Sequence, residues 1–116
     1  MTINPNIWLH RFQTEIELAK TARAAGNEGR ARVCARRAAG IVVGEYLERR
    51  KIDFPNPSAY DRLKFLASLP ETSPAVREAS TRLLLRVSED FALPGEVDLI
   101  AEALWLAKEL LENQVK

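Results

Sequence analysis

The sequence predicts an all-α protein, a compact antiparallel bundle of about five helices. Apolar residues recur at steps of three and four along almost the whole chain, whereas no stretch alternates with the period of two that a half-buried strand requires. The length of 116 residues, with 47% hydrophobic and 28% charged residues, is typical of one globular domain. We therefore expect residues 1–116 to form a single helical domain. Its predicted helices are residues 6–25, 27–51, 58–69, 73–88 and 95–114.

The breaks between the first three helices are marked by residues that helices do not hold in their interior. Gly26 or Asn27 separates the first two helices. Pro55 and Pro57 stand between the second and third, because proline inside a helix removes a hydrogen bond and clashes with the preceding turn. Ser58 follows as the expected N-cap of the third helix, with Asp61 three residues later.

The last two helices are defined by similar local chemistry. Ser73 and Pro74 predict an N-cap followed by proline at the first helical position, where the missing N–H costs nothing. The fifth helix is expected to begin after Pro94, with Glu96 and Asp98 near its N-terminal end, where the helix dipole favours negative charge.

Composition excludes several classes of protein. Seventeen Lys and Arg against sixteen Asp and Glu give a formal net charge of +1, so no overall field draws the protein to nucleic acid or anionic lipid. Cys34 is the single cysteine, and the N-terminus lacks a signal-peptide pattern, so we expect a cytoplasmic protein. No window reaches the eighteen or more apolar residues of a membrane span. Metal-ligand spacings, a Cys–His pair and phosphate-binding loops are all missing from the sequence, so we expect neither a cofactor nor an enzyme.

The second predicted helix is expected to be central. Its apolar face is broad, comprising Ala31, Cys34, Ala35, Ala38, Ala39, Ile41, Val42 and Tyr46. Gly40 and Gly44 lie near the other side, and each costs about 1 kcal/mol relative to alanine inside a helix. A close approach of another backbone explains such glycines. Either another helix of the same bundle crosses here, or a second subunit contacts the GIVVG segment.

The same helix resembles the central helix of the HEPN superfamily in Ala31, Arg36-Arg37-Ala38-Ala39 and Tyr46-Leu47. This resemblance covers residues 27–51 and implies an antiparallel bundle of four or five helices that is commonly dimeric. Active members of the superfamily carry a ribonuclease site built from Arg followed four to six residues later by His. The sole histidine here is His10, with no arginine ahead of it. The resemblance therefore implies a non-catalytic relative.

Two carboxylates are predicted to point toward the core. Glu45 projects from the apolar face of the second helix, and Glu15 lies similarly on the first helix, where Arg11 one turn earlier is a partner within reach. A buried carboxylate needs a cation or a raised pKa. We expect structural ion pairs of these carboxylates with Arg82, Arg86 or Arg62. The alternative is a ligand site formed by both carboxylates.

The position of Trp105 on the last helix is not explained by packing into the core. On the last helix it points away from the apolar residues, into a polar sector, so it is a candidate interface anchor. The alternative is that the N-terminal arm or the turn before Pro94 covers the ring.

The function predicted from these features is that of a non-catalytic protein-interaction module that forms a homodimer. Its interface would bury apolar surface around Trp105 or the GIVVG segment, while Arg36 and Arg37 meet acidic groups of the partner. A second hypothesis is nucleic-acid binding by the surface from Arg30 to Arg37. It is weakened because no aromatic residue interleaves with these arginines.

Overall fold

A computed structural model describes residues 6–85 and 97–112, and within them the chain forms five α-helices and no β-strand. The all-α bundle predicted from the sequence is confirmed. The last helix continues directly into a π-helical turn at Lys108–Glu112. The helices are α1 (Ile7–Ala24), α2 (Glu28–Arg49), α3 (Ala59–Ser68), α4 (Pro74–Leu83) and α5 (Leu99–Ala107).

The turn between α1 and α2 follows from a glycine in the left-handed region. Gly26 has a φ of +80° and donates its N–H to the Arg23 carbonyl at 3.0 Å, while Asn27 donates to the Ala22 carbonyl at 2.8 Å. These two bonds close the end of α1 in the Schellman pattern. The Asn27 side chain then accepts a hydrogen bond from the backbone N–H of Arg30 and caps α2. The short turn makes the two long helices antiparallel.

The caps of α3 and α4 are those predicted from the sequence. Ser58 Oγ accepts a hydrogen bond from the backbone N–H of Asp61 at 3.2 Å, and Ser73 Oγ accepts one from Val76 at the same distance. Pro74 occupies the first helical position of α4. Local side-chain chemistry therefore positions both helix starts.

Two predicted boundaries differ from the structure. The fourth helix, expected to reach residue 88, ends at Leu83, and residues 86–88 lie outside the described residues. The fifth helix does not include Asp98 in its first turn. Instead the Asp98 side chain is the N-cap, accepting hydrogen bonds from the backbone N–H groups of Ile100 and Ala101. Aspartate is favoured at an N-cap because its carboxylate satisfies donors that the helix leaves unpaired.

α2 is the centre of the bundle, because α1, α3 and α5 all pack against it, while α4 lies on α3 and α5. Cys34 lies inside this core as a small buried side chain. No helix in residues 6–85 and 97–112 is both long and apolar enough to cross a membrane. The largest side chains that are fully buried include Leu63, Leu66, Leu83, Leu99, Leu106 and Leu111.

Arg23 connects three elements at one end of the bundle. Its guanidinium donates to both carboxylate oxygens of Glu28, at 2.8 and 3.0 Å, and to Asp98 Oδ1 at 2.9 Å. The hydrogen bonds from Arg23 lower the pKa of Glu28, against a smaller opposing effect of burial. Partial burial raises the pKa of Asp98, but hydrogen bonds from Arg23 and from two backbone N–H groups together lower it below its ordinary value.

The Arg23 cluster predicts a stability difference that depends on pH. Because the pKa values of Glu28 and Asp98 are lowered in the folded state, their pairing with Arg23 stabilises the protein fully above the unfolded-state values, about 4.3 for Glu and about 3.9 for Asp. That stabilisation is lost as the pH falls through the lower folded-state values. We expect Arg23→Met to lower the free energy of unfolding at neutral pH, and the difference from wild type to shrink as the pH falls below these unfolded-state values. Urea unfolding at a series of pH values from neutral to acidic measures it.

A matched control for this titration is Lys20→Met, which removes an exposed pair with Glu17 whose N–O distance is 3.7 Å. Exposed pairs of this kind contribute little. The control should therefore differ from wild type by a small amount at every pH. A difference for Arg23→Met that stays constant with pH would contradict the role given to the two carboxylates.

Candidate functional site

The two glycines of the GIVVG segment are covered by α3 of the same chain. A Cβ placed on Gly40 would lie 2.5 Å from Ala59 Cβ and 2.7 Å from Ala59 Cα, closer than real carbon atoms come. A Cβ on Gly44 would lie 2.5 Å from Arg62 Nη1. The close approach predicted from the sequence is therefore a crossing of α2 and α3. The expectation of a subunit contact at Gly40 and Gly44 is corrected, because α3 occupies that surface.

Arg36 and Arg37, predicted together as interface residues, have different environments. The Arg36 guanidinium donates from Nε to the Leu83 carbonyl at 2.8 Å and from Nη2 to the Leu85 carbonyl at 3.0 Å, so it caps the end of α4. These bonds occupy two of its donors within the fold, and its assignment to an interface stays a prediction. Arg37 is exposed and lies beside a cavity between α1 and α3.

Glu45 has a different partner from those predicted. Its carboxylate pairs with Arg49 one turn later, at 2.9 Å, and its side chain is 24% exposed. Arg82 instead pairs with Glu102, and Arg86 lies outside the described residues. The prediction of an inward carboxylate is corrected, because Glu45 lies at the edge of the contact between α1 and α2.

Glu15 is partly buried as predicted, but it lacks the predicted partner. Its Oε1 is buried and has no hydrogen-bond partner among the described residues, and Arg11 does not pair with it there. Leaving a buried polar atom unpaired costs about 1–3 kcal/mol, more for a charged group. Trp8 Nε1, seven residues earlier on the same helix, is likewise buried without a partner. The unpaired atoms of Glu15 and Trp8 were not predictable from the sequence.

A groove runs along α2 between α1 and α3, and we name it the α1–α3 groove. It is lined by Trp8, Glu15, Arg37 and Glu45, among others. It consists of two adjoining cavities of about 310 and 280 Å³ that share Ile41 and Arg62. Glu15 and Arg37 line the first cavity, and Trp8 lines the second. Charges of both signs face the groove, from Arg11, Arg37, Arg62, Glu15, Glu45 and Glu48.

A second surface lies on α5. Trp105 is 36% exposed and Leu104 is 41% exposed. The role of Trp105 as an interface anchor stays a prediction. Ala101 and Lys108 are exposed as well. These four positions recur at steps of three, one and three residues, which places them on one face of the helix. We name them the outer face of α5.

Leu104 was not identified as a surface residue from the sequence, although its spacing from Ala101 and Lys108 is a usable signal. The segments proposed to cover Trp105 were the N-terminal arm and the turn before Pro94. Residues 1–5 and 86–96, to which they belong, lie outside the described residues. Glu102 is the single charged residue of α5, and both its carboxylate oxygens accept hydrogen bonds from Arg82, at 2.9 and 3.1 Å.

In residues 6–85 and 97–112 the protein is a small all-α bundle that carries a groove of mixed charge and a largely apolar helix face. No family model, curated protein or solved structure matches this chain. The resemblance to the HEPN superfamily therefore stays a prediction. In the part of the chain that the structure describes, no three His, Cys, Asp or Glu side chains come together as metal ligands would.

Proposed function

We propose that this protein is a non-catalytic protein-interaction module that forms a homodimer through the outer face of α5. The observation that carries the proposal is the exposure of the consecutive residues Leu104 and Trp105, at 41% and 36%. Eight of the nine residues of α5 are apolar, with Glu102 as its only charged residue. A helix of that kind is normally buried on all sides. The inner side of α5 is buried in the bundle, and its outer face would be buried by the partner.

A second copy of the chain fits this face. Positions separated by three, four and seven residues along a helix form the stripe with which two helices pack. Ala101 is small and permits close approach of the partner helix, while Trp105 supplies the large aromatic surface that anchors interfaces. In a two-fold dimer the same patch meets itself, and its apolar residues Ala101, Leu104 and Trp105 can pack against their own copies. The resemblance of residues 27–51 to the commonly dimeric HEPN superfamily agrees with the proposal.

The alternative function, nucleic-acid binding by the surface from Arg30 to Arg37, is disfavoured by the positions of its cations. Arg36 is bound to the carbonyls at the end of α4. The Arg32 side chain is largely buried, with Nε 4.0 Å from Glu28 Oε2. Arg30 and Arg37 remain as the exposed cations of this surface. Two exposed cations would bind a nucleic acid only weakly, because affinity for the phosphate backbone depends on several such contacts.

Sedimentation equilibrium tests the dimer. We expect a dimer for the wild-type chain, and at least about a 30-fold larger dissociation constant for Trp105→Ala, since a central aromatic anchor contributes about 2 kcal/mol or more. Leu104→Ala should weaken the dimer in the same direction. Circular dichroism should show that both variants keep the helical fold, because neither side chain belongs to the core.

The matched control is Val33→Ala, which shortens an apolar side chain of α2 that is 47% exposed and lies away from the outer face of α5. Its dissociation constant should equal that of the wild type. A wild-type chain that stays monomeric at high micromolar concentration, or a dimer that Trp105→Ala leaves unchanged, would refute the proposed interface.

A further inference from the structure

We propose that the cavity between Glu15, Arg37 and Arg62 in the α1–α3 groove binds a small zwitterion, of the class to which free α-amino acids belong. This site shares no residue with the outer face of α5. The proposal therefore stands independently of the homodimer.

Opposite charges line this cavity without neutralising one another directly. Glu15 lies on α1, Arg37 on α2 and Arg62 on α3, and all three border the same space of about 310 Å³. Among the described residues, Glu15 Oε1 is buried with no hydrogen-bond partner, and no ion pair joins Glu15 to either arginine. A molecule in this cavity would therefore have one carboxyl-bearing and two guanidinium-bearing side chains along its walls.

The Arg62 guanidinium is held in a fixed position. Nε donates to the Asn56 carbonyl at 3.0 Å, and Nη1 donates to the Gly40 carbonyl at 3.2 Å. No described residue accepts a hydrogen bond from Nη2. A donor that is already ordered loses little entropy when it binds, so this arrangement is suited to a ligand carboxylate.

The mixed charge selects the class of ligand. A simple anion would be attracted by Arg37 and Arg62 but would leave the buried Glu15 oxygen unpaired. A simple cation would satisfy Glu15 but would be repelled by both arginines. A zwitterion places an ammonium at Glu15 and a carboxylate at the guanidinium groups, and each contact is a charge-assisted hydrogen bond. Ile41, which also borders the cavity, offers apolar contact to the carbon atoms between the two charges.

The size of the cavity favours a small molecule. Ligand pockets span about 300–1,000 Å³, and this cavity lies at the lower end of that range. In the adjoining cavity, Trp8 Nε1 is buried without an acceptor among the described residues, and there is room for a side chain that carries a hydrogen-bond acceptor. We therefore infer a preference for amino acids with polar side chains over those with large apolar ones.

The proposal is tested by titrating the ¹⁵N-labelled protein with individual proteinogenic amino acids. The amide chemical shifts report binding. We expect saturable shifts centred on residues 15, 37 and 62 with at least one of these amino acids at millimolar concentration or below. For that amino acid, the N-acetyl derivative and the carboxamide each keep only one of the two charges. Both should bind at least tenfold more weakly.

Substitutions test whether binding depends on the side chains that line this cavity. Glu15→Gln and Arg37→Met should each weaken binding at least tenfold, while Glu17→Gln and Arg30→Met, exposed changes on the same two helices, should leave it unchanged. Thermal unfolding establishes that each variant is folded. Trp105→Ala should bind the amino acid as the wild type does, so a failure of the dimer would not affect this test. The proposal is overturned if no amino acid causes saturable shifts, or if the singly charged derivatives bind equally well.

Discussion

Gly40→Ala is expected to lower the free energy of unfolding by about 1–2 kcal/mol, although the same change usually stabilises a helix. Alanine in a helix interior is favoured over glycine by about 1 kcal/mol. At Gly40, however, the added Cβ would come within 2.7 Å of the backbone Cα of Ala59 and within 2.5 Å of its Cβ. Backbone atoms cannot rotate away as a side chain can, so α3 has to shift as a unit. Overpacking of this kind costs about 1–3 kcal/mol and here exceeds the gain in helix propensity.

Gly29→Ala is the control for this prediction. Gly29 lies in the first turn of the same helix, where the nearest atom to an added Cβ is Asn27 Oδ1 at 3.9 Å. We expect this change to raise the free energy of unfolding by up to about 1 kcal/mol. Urea unfolding at neutral pH measures both variants. If both substitutions stabilise the protein, α3 does not pack on Gly40 as described.

Arg36→Met is expected to destabilise the protein by about 2–3 kcal/mol. Methionine keeps the apolar stem of the side chain but removes the donors to the Leu83 and Leu85 carbonyls at the end of α4. A hydrogen bond to a charged group contributes about 1.5–3 kcal/mol, and the carbonyls at a helix end need partners. Amide hydrogen exchange in the last turn of α4 should accelerate more than exchange in α1, because the lost contact is local to α4.

The neighbouring Arg37→Met is the control. Arg37 is exposed and makes no hydrogen bond within the described residues. Exposed substitutions of this kind change stability by less than about 0.5 kcal/mol. Equal effects of the two substitutions in urea unfolding would show that the contact of Arg36 with α4 does not contribute to stability.

Arg36 and Arg37 show which part of a side chain's environment can be predicted from the sequence. Arg36 and Arg37 are adjacent and identical in type, and they differ by 100° around α2. That rotation places one guanidinium at the end of α4 and the other beside the α1–α3 groove. The direction of each side chain follows from helix geometry, but the element that it meets depends on the packing of α3 and α4.

Glu45 is a second residue whose partner the sequence did not predict. Its position on the helical wheel predicted an inward carboxylate with a distant arginine as partner. The partner is Arg49, one turn away on the same helix, because Glu45 lies at the edge of the α1–α2 contact and remains partly exposed. Glu15 on the facing helix was expected to pair with Arg11 and is instead unpaired within the described residues.

The sequence by itself determined the all-α class, the helix starts at Ser58 and Ser73, and the turn at Gly26. These features depend on apolar periodicity and on hydrogen bonds between residues a few positions apart, both of which can be seen in a single sequence. Only the tertiary structure decided that Ala59 covers Gly40 and that Glu15 lies unpaired in a cavity with Arg37 and Arg62. These contacts join residues about twenty or more positions apart, and they depend on how α1 and α3 lie on α2, which no local pattern specifies.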